Sequence, residues 1–179
     1  MVDATQKQIR SAQTDDDITA VALLAHDIWN QHYVPIIGQQ QTDYMLATFQ
    51  SSTAIAHQIA TGYQYYLVMS NGVPAGYFAI VPNPTDRSTL LSKIYVDRDQ
   101  RGKGLGTLII AFVESRCAEL GFRELWLTVN RHNADSIAFY RHVGFVTAGN
   151  VVQEIGNGFM MDDYKMSKKL CESEQALVH

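Results

Sequence analysis

A chain of 179 residues has room for one core of ordinary size and is cramped for two. The expectation is therefore a single domain over 1–179, its core at about 6–170 and 171–179 a C-terminal tail. Apolar residues make up 46% and charged residues 18%, and no apolar run approaches the roughly 18 residues of a membrane-spanning helix, so no membrane partner is expected. A net charge of -4 lacks the basic face that a polyanionic backbone needs, so no nucleic acid is expected either.

The first residues, MVDATQKQIRSAQTDDD, carry no apolar stretch after the early charges, and a cytoplasmic location is the expectation. Cys117 and Cys171 stand far apart without a CxxC pair and read as free thiols. The six histidines form no HExxH, and no metal is expected.

In chain order, KQIRSA reads as a short strand. Thr and Asp of TDDD can cap a helix, and DITAVALLAHDIWNQHY repeats Ile18, Val21, Leu24 and Ile28 at helical intervals. After Pro35 and Gly38, TDYMLATFQSSTAIAHQIATG reads as one or two further helices stopped at Gly62. YQYYLVMS and VPAGYFAIV are strands joined by Asn71-Gly72, a strong hairpin signal. PNPTDRS is a loop, and STLLSKIYV is a nearly continuous apolar strand of the kind found near a sheet centre.

QRGKGLG follows, then a helix from Thr107 whose Leu108, Ile109, Phe112, Val113, Arg116 and Leu120 share one face, ended by Gly121. ELWLTV is a strand with Leu125, Leu127 and Val129 on one side. A strand, helix and strand in this order call for a right-handed crossover and a parallel pair. Asn133 can cap ADSIAFYRHV, which Gly144 ends, and FVTAGNVVQEI and FMMDDYKMSK are the last strands. The fold class is mixed α/β, antiparallel at first and parallel at its centre.

Glycines at 102, 104 and 106 where a strand hands over to a helix suit an anion. Helix N-termini offer unpaired N–H groups and a partial positive charge, and a side chain at Gly104 or Gly106 is expected to block the approach. Arg101 and Lys103 add charge-assisted contacts, and a pyrophosphate fits. The P-loop pattern GxxxxGK[ST] is absent and the dinucleotide fingerprint GxGxxG is missed by one position.

Arg101, Gly104 and Gly106 after LLSKIYV match [RQ]-x-x-G-x-[GA], and NADSIAFYRHVGF matches N-x-x-[AS]-x-x-[FL]-Y-x-x-x-G-F through Asn133, Ser136, Phe139, Tyr140, Gly144 and Phe145. In this order, over about residues 6–170, the chain resembles the GNAT superfamily of acetyl-CoA-dependent N-acetyltransferases. The resemblance implies the GNAT fold: a mixed central sheet with antiparallel N-terminal strands and a splayed parallel central pair, helices on both faces, and a V-shaped opening for the pantetheine arm. It also implies acetyl-CoA as co-substrate, with Ile94, Tyr95, Val96, the loop Arg101, Gly102, Lys103, Gly104, Leu105, Gly106 and Thr107, and Asn133 and Ser136 as cofactor-binding residues. Two departures stand out. Asp97-Arg98 replaces the family's frequent proline turn, and STLLSKIYV lacks the glutamate that some members use as a base.

Acyl transfer to an amine by direct attack in a ternary complex needs a neutral amine, a stabilised oxyanion and a proton for the departing thiolate. The resemblance assigns the proton to Tyr140, and a phenol of pKa about 10 stays protonated at neutral pH. Backbone N–H groups around Ile94 to Val96 would serve the oxyanion, and Asn133 would both cap its helix and touch the cofactor arm. Glu154, His132 and Asp162 are the open alternatives for the base. The GFVxxG stretch and the MDDYKM ending are similar to bacterial polyamine and small-amine acetyltransferases, so the expected acceptor is a small amine or polyamine. Protein N-termini are the alternative within the superfamily. An acyl-CoA sensor without transfer activity, and a nucleotide-binding protein, are the alternatives outside it. The family commonly forms homodimers.

Overall fold

The computed structural model describes residues 6–170; the expected free thiol Cys171 and the tail expectation for 171–179 lie outside the described residues. The first strand, β1 (Lys7–Ser11), leads into α1 (Asp15–His32). Thr14 closes a capping box: its side chain accepts from Asp17 N, and the Asp17 carboxylate accepts from Thr14 N. Burial alone would raise the Asp17 pKa. The N–H groups of Thr14 and Gln13, the Thr14 side chain and the Arg10 guanidinium reverse that and bring it down to about 2.

The region after Pro35 resolves into α2 (Val34–Ile37), α3 (Gln39–Phe49) and α4 (Ser52–Ala60). Pro35 sits in the first turn of α2, where its missing N–H is harmless. The hairpin of β2 (Gln64–Ser70) and β3 (Val73–Asn83) turns at Asn71 and Gly72, both with positive φ (51° and 79°), as a primed turn requires. β3 runs on through Pro82, so the expected loop shrinks to residues 84–87 before β4 (Ser88–Val96).

The helix after the glycine loop, α5 (Leu105–Glu119), begins two residues before the expected Thr107, and its buried face is rotated from the one expected. Leu105, Ile109, Ile110, Val113 and Cys117 are buried, whereas Leu120 is 45% exposed. Leu108 and Phe112 pack on the rim of the same core, and Arg116 instead pairs with Glu119. Next come β5 (Glu124–Asn130), α6 (Ala134–His142), β6 (Val146–Gly156) and β7 (Phe159–Lys169).

Among the described residues the strands form one seven-stranded sheet in the order β1-β2-β3-β4-β5-β7-β6. Only β4 and β5 pair in parallel, which is the mixed α/β architecture and the crossover read from the sequence. Strand alternation splits the apolar side chains between two cores. Tyr65, Leu67, Tyr77 and Ala79 meet Val21, Ala25 and Ile28 of α1 on one face. Tyr66, Phe78, Leu125, Leu127 and Met166 meet Ile109, Ile110 and Val113 of α5 on the other.

Substituting Asp17→Ala should lower the unfolding free energy by about 1–2 kcal/mol, read by urea titration at pH 7. Because the folded-state pKa is depressed, this contribution is complete above about pH 4 and is lost as pH falls towards 2. The wild-type advantage should close over that window.

Candidate functional site

The parallel pairing of β4 with β5 spans only Ser88–Leu90 against Glu124–Trp126. A register shift against β3 falls between Lys93 and Leu91 and leaves Ser92 as an extra residue in β4. Such a bulge bends and twists its strand, and here it turns β4 away from β5. Beyond it, Ile94, Tyr95 and Val96 keep Phe78, Tyr77 and Gly76 as β3 partners and have no β5 partner. Gly76 permits the close approach on that side: a Cβ there would lie 2.6 Å from Tyr95 O.

After β4, Asp97 caps a short 3-10 turn over Arg98–Gln100, and Arg101 Nε donates to Val96 O at 3.1 Å. Gly104 stands at the N-cap of α5 with φ 79°, a left-handed conformation that favours glycine. It offers no capping side chain, so the first N–H groups of α5 have no side-chain acceptor. The reason for the glycines differs from the expected one. A Cβ on Gly104 would meet only Lys7 Nζ, at 3.7 Å, so the requirement there is the backbone angle. A Cβ on Gly106 would lie 2.9 Å from the Phe139 ring, so that glycine lets α5 close against α6.

The splay opens a cavity of about 800 Å³. Of the expected site residues, Ile94, Tyr95, Val96, Arg101, Gly102, Gly104, Leu105, Gly106, Thr107, Asn133, Ser136 and Tyr140 all line it. Lys103 is not among them; its ammonium donates to Gln100 Oε1 and its carbonyl accepts from Lys7 Nζ. Asn133 accepts from Ser136 N at 3.4 Å as the N-cap of α6, and its Oδ1 also lies 3.3 Å from His32 Nε2. The donor set suits a pyrophosphate: an uncapped helix end, a guanidinium and glycine backbone. Among the described residues no cluster of three or more His, Cys, Asp or Glu could hold a metal ion.

Tyr140, 7% exposed, packs against Phe145 and Phe139 and shares the cavity wall with Tyr33 and Tyr95. Burial pushes its phenol well above the usual tyrosine range, and the nearby Tyr33 adds to the shift. Burial also raises Tyr33, to about 12, and holds Tyr95 well above the usual tyrosine range. These hydroxyls therefore keep their protons at neutral pH and are able to donate hydrogen bonds.

A model of the acetyltransferase (GNAT) family matches residues 24–145. The chain belongs to that family. Residues of this GNAT chain are 34% identical over 73 positions to the L-methionine sulfoximine/L-methionine sulfone acetyltransferase of Pseudomonas aeruginosa, covering 41% of the chain and 42% of that protein. They are 35% identical over 83 positions to the ribosomal protein bS18-alanine N-acetyltransferase of Escherichia coli, covering 46% and 55%. The chain thus spans about half the length of the curated relatives it matches. A PaiA N-acetyltransferase of Thermoplasma acidophilum, in complex with coenzyme A, superposes with a TM-score of 0.76 at 18% identity over 92% of this chain and 99% of that one. That likeness establishes the GNAT fold.

The base alternatives for a GNAT reaction fare differently. Glu154, His132 and Asp162 are absent from the cavity wall: Asp162 pairs with Arg131 at 2.6 Å, and His132 borders a separate pocket with Arg98 and Arg101. Asp163, one residue along, is 4% exposed and does line the cavity. Burial raises its pKa to about 6, helped by Asp162 and opposed by Thr128 and Arg131. The alternation of FMMDDYKMSK carried this signal, since Met161 joins the core on the α1 face and Tyr164 the opposite one. Lys93 also lines the cavity, although the apolar run around it gave it no role.

Substituting Gly106→Ala should cost about 1–3 kcal/mol by overpacking Phe139, measured as a fall in the denaturant midpoint. Gly149→Ala, which meets nothing within 4 Å, is the control and should leave the midpoint unchanged within error.

Proposed function

We propose that this chain is an acetyl-CoA-dependent N-acetyltransferase that acetylates the primary amine of a small acceptor by direct attack in a ternary complex. The observation that carries the reading is the single cavity joining the splayed β4 edge, the uncapped end of α5 and the Tyr140 hydroxyl. A sensor would need the first two and could dispense with the third. The acceptors named for the relatives, an amino-acid sulfoximine and an alanine of a ribosomal protein, both fit transfer to an amine.

Bound acetyl-CoA would supply an activated acetyl thioester. The N–H groups at the start of α5, with Arg101, would hold its pyrophosphate, and Asn133 and Ser136 would border its arm. The unpaired edge of Ile94–Val96 offers backbone donors and acceptors to the arm and to a developing oxyanion. Tyr140 donates its hydroxyl hydrogen bond to the leaving sulfur; its raised pKa makes it a fixed donor. Asp163 is the proton acceptor for the acceptor's ammonium, ionised at pH 7 and shielded from bulk water. The same reading carries a cytoplasmic location, and it carries a homodimer whose open edge is β6, where Val146 and Val152 are exposed.

Calorimetry with acetyl-CoA, followed by thiol release over a panel of amines, tests the reading; absence of CoA binding overturns it. Tyr140→Phe should lower kcat by about 10²-fold or more with little change in CoA affinity. An unchanged rate at every pH would remove Tyr140 from the acid role. For Asp163, kcat/KM should rise with pH through an inflection near 6 as the carboxylate ionises, and Asp163→Asn should abolish that limb.

A further inference from the structure

Lys93 sits on β4 two residues before Tyr95, on the face roofed by α1 to α4, and is 7% exposed. Its Nζ donates to Gln58 Oε1 at 2.9 Å and lies 5.3 and 5.6 Å from the ring centroids of Tyr63 and Tyr65. Gln58 Oε1 also accepts from the Tyr65 hydroxyl, and Gln58 Nε2 is held by Phe49 O, so this amide has no freedom to turn away. Among the described residues no carboxylate pairs with Lys93. Burial therefore acts unopposed and brings its pKa down to about 8. At neutral pH Lys93 still carries its charge, held by one neutral acceptor and two ring faces, so an anion beside it would stabilise a cation that burial has weakened.

The two carboxylates of the cavity wall share their end with Arg101, and Lys93 stands apart from them. The wall's acidic side chains are Asp163 on β7 and Asp135 on α6, beside the Tyr33 and Arg101 end. Its cations are Arg101 at the glycine loop and Lys93 beneath α4. Gln50, 4% exposed on the same wall, has its Oε1 engaged by the Tyr77 hydroxyl. The Lys93 end thus offers an ammonium where a second cationic group of a polyamine would need carboxylates.

Resting on the acetyltransferase reading above, we propose that Lys93 determines acceptor specificity by binding a carboxylate on the acceptor, so that the preferred substrate is a zwitterion of amino-acid type. The acceptor's amine then lies towards Asp163 and Tyr140, and its acid towards Lys93 and Gln50. Lys93 selects and orients; it takes no proton in the reaction.

The test is thiol release by the full chain with free L-amino acids, each paired with its own C-terminal amide, with ω-amino acids from β-alanine to 6-aminohexanoate, and with spermidine. In parallel, calorimetry reads binding of the same acid and amide pairs in the presence of CoA. The free acids should exceed their amides in kcat/KM by about tenfold to a hundredfold, mainly through KM, and spermidine should be poor. Lys93→Met should bring acids down to the level of amides, lowering kcat/KM for the acids at least tenfold more than for the amides, and Lys93→Arg should restore part of the preference. Amides or spermidine used as well as the acids by the wild type would overturn the proposal, and so would an equal loss for every acceptor in Lys93→Met. The two readings fail separately. Absence of CoA binding counts against the acetyltransferase reading alone, whereas equal binding of acid and amide counts against Lys93 alone.

Discussion

Everything at this site depends on a strand pair that stops pairing. Backbone N–H and C=O groups inside a protein need partners, and a parallel pair in mid-sheet normally supplies them along its whole length. Here β4 gains an extra residue at Ser92 and departs from β5 after Leu90, so Ile94 to Val96 present an open edge deep inside the fold. Unlike the edge strands β1 and β6, this edge faces a half-open cavity. What fills it must bring hydrogen-bonding groups of its own, as an extended amide-bearing arm does.

The splay also joins the two cores. Ile94 and Val96 belong to the side of α5 and α6, Tyr95 to the side of α1 to α4. The cavity therefore receives the glycine loop and Tyr140 from one layer, and Tyr33, Gln50 and Lys93 from the other. Tyr33 is the hinge of this meeting. It caps α1, stacks on Trp29 at 4.3 Å, and lies close enough to Tyr95, Asn133 and Asp163 for each to influence its ionisation.

Much of the fold was legible because it rests on local signals. Thr14 and Asn133 announce helix starts, Asn71-Gly72 announces a hairpin, and period-two alternation announces ELWLTV. The face of α5 was misread because every third or fourth position there is apolar on more than one side, so tertiary packing had to choose between them. Of the site, the two motifs were legible because glycine and tyrosine occur there at fixed offsets. Asp163 was missed in favour of Asp162 because adjacent carboxylates differ only in the face to which they point, and that is decided by pairing with β5. Lys93 was invisible for a different reason: within an apolar strand a lone lysine reads as an interruption, and its role needs Gln58 and Tyr63, some thirty residues away.

The contact between Gly106 and Phe139 has a mechanical meaning. Two signatures that stand apart in the chain meet as one hard stop, with the missing side chain of one helix filled by the ring of the other. Phe139 is the neighbour of Tyr140, so the distance from the loop to the tyrosine hydroxyl is set by steric contact, as a gauge block sets the gap in a machine. A lever fixed this way transmits position without bending. The start of α5 and the hydroxyl carried by α6 are then placed by a single alignment, made once when the chain folds.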